Sequence, residues 1–167
     1  SDSCTLIYLQ LINMARQQLW IVSPYFVPEQ AISSALVLAS LRGVDVRILL
    51  PRNPDHLLVQ WSSKAYLKEL VQAGVGIYYY DGGFLHQKVS LIDNLYATVG
   101  SPNLDNRSFQ LNFEINLLSK NVAFANEVKA MLEIDLANSK RLQLKDVELN
   151  LPQRLLAQLA NLLAPVL

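Results

Sequence analysis

The chain of 167 residues has a single cysteine, Cys4, so neither an internal disulfide framework nor a multi-cysteine metal site can form. It has no surplus of either charge, since 14 Lys and Arg balance 14 Asp and Glu. Domains that hold nucleic acid mainly by charge carry a basic excess, so no nucleic-acid partner is expected. No run of 18 apolar residues exists, so no segment reads as a membrane span, and no signal peptide is visible. Internal repeats and low-complexity tracts are also missing. What the chain has in quantity is apolar side chain: 51% of residues are hydrophobic and 17% charged, which excludes disorder and is enough for one full core. It opens Ser1-Asp2-Ser3 without an initiating Met, and the expectation is a piece of something longer.

Helical and strand periods alternate along most of the length. Residues 5–18 place Leu6, Leu9 and Ile12 at helical spacing, and Leu19 to Val22 is a strand stopped by Ser23-Pro24. Pro28-Glu29 opens a second helix that stops at Arg42-Gly43, and 44–50 reads as a buried strand. A third helix covers 55–73, with Asp55 as its N-cap, and a strand covers 75–80. In that strand the three tyrosines 78–80 read as packing rather than a stacking platform, because alternation sends Tyr79 to the opposite face. Strands at 88–92 and 96–99 are joined by an Asp93-Asn94 hairpin turn. A last strand is expected at 113–118 and a last helix at 123–138. This order implies an α/β layered sandwich, with a mostly parallel central sheet edged by one hairpin and helices on both faces. The domain is assigned to 1–150. The tail, 151–167, reads as an amphipathic helix whose one charge is Arg154. It either packs on the domain or a neighbour, or lies in a membrane surface; the missing Lys/Arg-rich polar face weighs for packing.

Only two histidines are present. If Lys88 begins a strand, His86 and Lys88 point the same way, because side chains alternate with period 2. An ammonium neutralises phosphoryl oxygens, and an imidazole that titrates near neutrality serves as nucleophile or as acid. Two such residues alone are weak evidence, since an ordinary edge-strand pair has the same spacing. The following residues strengthen the case. Gly100-Ser101-Pro102-Asn103 puts a small polar group and backbone donors at a strand terminus, where open α/β sheets bind ligands. Ser101 and Asn103 are placed to hydrogen-bond a phosphate held by Lys88, and Glu114 to accept from a histidine N–H and fix its tautomer. The competing reading is a loop whose polar residues cap turns. His56, in Pro54-Asp55-His56, either reaches a head-group pocket or decorates a helix start.

His86-x-Lys88-x4-Asp93-x6-Gly100-Ser101-x-Asn103 resembles, at every position, the HKD motif of the phospholipase D superfamily. Ser23-Pro24-Tyr25-Phe26-Val27-Pro28, the run Leu41 to Leu49, and Asn103-Leu104-Asp105-x-Arg107-Ser108-Phe109 further resemble the second, C-terminal half of bacterial cardiolipin synthases. That resemblance extends over essentially the whole chain.

The resemblance implies one active site built from two HKD motifs, one from each half of a pseudo-dimer. This chain has a single motif, which departs from the two-motif synthase pattern. One histidine forms a phosphohistidine, and the other, here His86, protonates the leaving alcohol. The implied catalytic set is His86, Lys88 and Asp93, with Asp93 bracing the strand–turn rather than touching substrate. Lys88, Ser101 and Asn103 would bind phosphate, and Glu114 would orient a histidine. No cofactor and no metal is implied. For a cardiolipin synthase, two phosphatidylglycerols give cardiolipin and glycerol. The expected partners are therefore phosphatidylglycerol, an anionic membrane surface, and the N-terminal HKD half or a second copy. The full-length protein would sit at the bacterial inner (cytoplasmic) membrane through an anchor outside this chain, and the fragment itself would be soluble. The alternative is a single-HKD phosphodiesterase or nuclease that completes its site by homodimerising.

Overall fold

In the computed structural model the described residues are 3–53 and 57–147. His56, and the tail with its expected amphipathic helix, lie outside them. The elements in chain order are α1 (Ser3–Met14), β1 (Gln18–Val22), β2 (Phe26–Val27), α2 (Gln30–Leu41), β3 (Asp45–Pro51), α3 (Leu57–Gln72), β4 (Gly76–Tyr80), β5 (Val89–Ile92), β6 (Tyr96–Gly100), β7 (Leu104–Asp105), α4 (Asn106–Gln110), β8 (Asn116–Lys120), α5 (Val122–Ala137), β9 (Ser139–Arg141) and α6 (Leu144–Val147).

Seven strands form one sheet in the order β8-β6-β5-β1-β3-β4-β9. Its centre, β1, β3 and β4, is parallel, because α2 and α3 serve as the crossovers between these strands. Antiparallel strands flank that centre on both sides: β5, β6 and β8 on one, β9 on the other. Antiparallel pairing therefore reaches beyond the one expected hairpin. A separate two-residue bridge pairs β2 with β7.

The strand alternation divides the core in two. Leu19, Ile21, Ile48, Leu50, Ile77 and Ile92 face one side and pack with Ile12 of α1, Leu36 of α2 and Leu67 of α3. Trp20, Val22, Leu49, Val89 and Leu91 face the other and pack under Ala125, Val128 and Leu132 of α5. Tyr79 joins the first cluster and Tyr78 and Tyr80 the second, as period 2 requires.

Two boundaries differ from the sequence expectation for identifiable reasons. The first helix stops at Met14 rather than Gln18 because the Asp93 carboxylate takes the next amides. It accepts from the backbone N–H of Arg16 (2.9 and 3.1 Å), Gln17 (2.8 Å) and Gln18 (3.0 Å). The last strand starts at Asn116, not Phe113, so Glu114 stands in the segment before it. The exposed, apolar alternation of Leu111, Phe113 and Ile115 imitates a strand, but among the described residues ladder pairing begins only at Asn116.

Asp93 and Asn94 have φ of 52° and 51°, the left-handed pair that a type I′ hairpin turn needs, and Leu95 N–H closes the turn on Ile92 O at 3.0 Å. Replacing Asp93 by Ala removes three charge-assisted bonds and puts a poor residue at positive φ. The expected loss is about 2–3 kcal/mol in urea unfolding. Asp93→Asn, which tolerates the turn, should lose clearly less, and equal losses would contradict this account.

Candidate active site

The site lies at the carboxyl ends of the parallel strands. Val22 closes β1 opposite Val89, the first residue of β5, and Val89 faces Val99 of β6. Gly100 faces Asn116, the first residue of β8. Ser23, Lys88, Ser101 and Glu114 are therefore gathered at one end of the sheet, although they come from four stretches of chain. Gly100 cannot be exchanged at this crossing, since a Cβ there would collide with the Ile115 carbonyl oxygen and with Asn116.

Lys88 immediately precedes β5 and its Nζ donates to the His86 carbonyl at 2.9 Å. The intervening Gln87 turns the other way and donates to Asp135 Oδ2 of α5 at 2.8 Å, anchoring the segment from behind. His86 itself is exposed and takes no hydrogen-bond partner for its imidazole among the described residues. Its ring stacks on Phe84, with centroids 5.4 Å apart and planes 11° from parallel. Phe84 is a neighbour of the candidate site that sequence reasoning did not single out. At 83% exposure it does not serve the core, so hydrophobic pattern gave no signal for it.

Ser101 clamps the segment before β8. Its N–H donates to Ile115 O at 2.9 Å, its hydroxyl oxygen accepts from Ile115 N–H at 3.0 Å, and its hydroxyl donates to Glu114 Oε2. Asn112 Nδ2 donates to the other carboxylate oxygen at 3.1 Å. A carboxylate has about four acceptor positions, so Glu114 keeps capacity for a further donor. Asn103 is held through its backbone, whose N–H donates to Ser108 Oγ at 3.1 Å. Its side-chain Oδ1 is buried without a partner, an orphan acceptor beside the site.

Asp105 was also missed. It caps α4 by accepting from Ser108 N–H at 2.6 Å and is buried. Burial raises its carboxyl above the ordinary range, and hydrogen bonding from Ser108 and Asn103 opposes the rise. The neighbouring Leu104 N–H donates to Ser23 Oγ at 3.0 Å, so the Ser23-Pro24-Tyr25 segment docks directly on the site loop. Asp93, in contrast, follows β5 at the end opposite Lys88, roughly 16 Å of extended strand away. A cavity of about 590 Å³ adjoins Glu114 on the α1 side and contains Cys4. Burial, then Glu114 and Glu29, pushes that thiol up to about 11, so it stays protonated and is a poor nucleophile. Among the described residues no three His, Cys, Asp or Glu side chains converge as metal ligands.

Burial lowers the Lys88 ammonium below the ordinary lysine range, while the charges of Glu114 and Asp105 pull it back up. Glu114→Gln removes one of the raising charges. The Lys88 titration midpoint, followed by the Cε carbon shift in NMR, should therefore move to lower pH in the variant. An unchanged or higher midpoint would show that Glu114 does not act on Lys88.

The family model described as cardiolipin synthase, PLD-like domain, matches residues 8–136. The chain is 48% identical over 167 residues to cardiolipin synthase A of Pseudomonas aeruginosa (strain LESB58), covering 99% of this chain and 34% of that protein. It is 47% identical to cardiolipin synthase A of Pseudomonas fluorescens, covering 99% and 35%. The chain thus spans about a third of the length of the curated relatives it matches. Among solved structures, a phospholipase D family member, Nuc from Salmonella typhimurium, superposes with a TM-score of 0.75 at 20% identity, covering 83% of this chain and 90% of that one. Phosphatidylserine synthase of Haemophilus influenzae gives 0.77 at 17% identity, covering 98% and 44%. With the family model over most of its length and relatives near half identity along all of it, the chain belongs to the phospholipase D-like family of cardiolipin synthases.

Proposed function

We propose that this chain is one half of a phosphatidyltransferase that makes cardiolipin and glycerol from two molecules of phosphatidylglycerol. The observation that carries this reading is the similarity to cardiolipin synthases along 99% of this chain, together with the gathering of Lys88, Ser101 and Glu114 at one sheet end. In the proposed reaction a histidine of a partner half attacks the phosphorus of the first phosphatidylglycerol. The P–O bond to the glycerol head group breaks, and His86 gives its proton to the departing alkoxide. His86 then takes the proton from a hydroxyl of the second phosphatidylglycerol. The resulting oxygen attacks the phosphohistidine, the P–N bond breaks, and cardiolipin leaves. One phosphodiester is exchanged for another, so no nucleotide is needed.

Lys88 supplies fixed positive charge to the phosphoryl oxygens, and Asn103 supplies a neutral amide. Glu114 orients a histidine, held for that purpose by Ser101 and Asn112. The partner half is the N-terminal HKD half of the same polypeptide or a second copy. The surface beside the site supports this: Phe113, Ile115 and Leu117 are 107%, 82% and 61% exposed, on and before β8, which among the described residues has no strand on its outer side. An apolar, unpaired edge of this kind is what a partner covers. The full-length protein works at the inner membrane, against its anionic surface. No helix among the described residues is long and apolar enough to cross a membrane.

In the full-length protein, His86→Ala should lower conversion of phosphatidylglycerol to cardiolipin by about 10³-fold or more, with the far-UV circular dichroism unchanged. Turnover that survives this change would sink the mechanism. Single-stranded and duplex DNA cleavage assayed beside it separates the phosphodiesterase alternative, in which DNA and not the lipid is consumed.

A further inference from the structure

A second cavity, of about 480 Å³, opens from the site on the opposite face of the sheet from Glu114's cavity. His86 and Lys88 form one end of it. Its walls are apolar: Val89 and Val99 on the sheet, and Phe124, Val128 and Met131 on α5. The three helix residues stand at i, i+4 and i+7, one face of one helix. The groove exists because α5 covers β6 only through Ala97, which is fully buried, while Val99, two residues on and on the same face, stays 40% exposed. Leu117, paired with Val99, extends the apolar face toward the sheet edge. The one ionisable side chain in the groove besides the motif pair is Glu127, exposed along the helix.

We propose that this groove is an acyl-chain subsite, which takes one fatty chain of the phosphatidyl group whose phosphorus reacts beside His86. The proposal rests on the lipid reading of the site and adds where the lipid's apolar part lies. Its strongest support is continuity, because His86, the proposed proton-transfer group, and Lys88, one of the proposed phosphate ligands, line the head of the groove. A glyceride attached to that phosphorus has its chains within a few bonds of the rim. The wall chemistry selects the occupant. A glycerol head group would leave its hydroxyls against valine, phenylalanine and methionine without partners, at a cost that an alkyl chain does not incur. The volume is that of a ligand pocket, not of a packing defect. Anionic head groups are further disfavoured by Glu127.

The test uses the full-length protein in phosphatidylglycerol vesicles. Met131→Trp narrows the groove from its exposed rim, away from the packed core. The ratio of kcat/KM for the dioleoyl substrate to that for the dibutyryl substrate should fall about tenfold, the worth of two methylenes displaced from contact. Met131→Leu, similar in volume, should restore the ratio. A phosphatidylglycerol with a diazirine in mid-chain should label residues 122–137 in the unmodified protein. Equal loss for both substrates, or no change in their ratio, overturns the subsite. So does labelling that avoids this helix, which is the result if the partner half fills the groove. If the unmodified protein converts no phosphatidylglycerol at all, the reaction assigned above fails. The labelling arm still decides the groove, because it reports where a fatty chain sits whatever bond is cut.

Discussion

The register of the β5–β6 hairpin is the constraint on which the site depends. Because side chains alternate with period 2, a slip of one residue would send Lys88 and Val99 to the wrong faces. It would also uncouple Gly100 from Asn116, the crossing where no Cβ fits. The register is fixed from the end remote from the chemistry. Asp93 occupies the left-handed turn and binds three successive amides of the 16–18 segment, so one residue sets both β5 against β6 and β5 against β1. A motif that reads as a single chemical string is thus divided in space. Its histidine and lysine stand at one end of β5, its aspartate braces the other.

This division explains which parts of the molecule were legible in the amino-acid sequence. The hairpin was, because a short polar turn between two apolar runs has few other solutions. So were α2 and α5, whose apolar positions recur at the helical period over 12 and 16 residues, and β3, a short apolar run closed by Pro51. The end of α1 was not, since helical periodicity runs on to Gln18 and only a carboxylate 75 residues away ends it. Neither were β2, β7 and α4. They are two to five residues long and exist because Ser23 and Asp105 satisfy their backbone groups through tertiary contact.

The misplaced last strand carries functional information. Leu111, Phe113 and Ile115 alternate as a strand would, yet all three are exposed and stand ahead of the residue where β8 starts pairing. Alternation without burial fits the proposed reading in which another body covers this surface. The same stretch holds Glu114 between two exposed apolar residues, so a body seated on that edge would stand next to the carboxylate. Under that proposal, burial of the edge and completion of the site would be one event.

The polar groups of the site are consistent with such closure. Glu114 is already held by Ser101 and Asn112, Asn103 by Ser108, and the segment behind Lys88 by Gln87 and Asp135, all within this chain. The imidazole of His86, in contrast, makes no hydrogen bond among the described residues and rests on an exposed phenylalanine. The residues that would bind phosphate are preorganised, which lowers the reorganisation needed as charge develops. The residue that would move protons is the one left without a hydrogen bond among the described residues. A site built this way is rigid where electrostatics require it and leaves its proton-transfer group open, which fits the proposed completion by a second half.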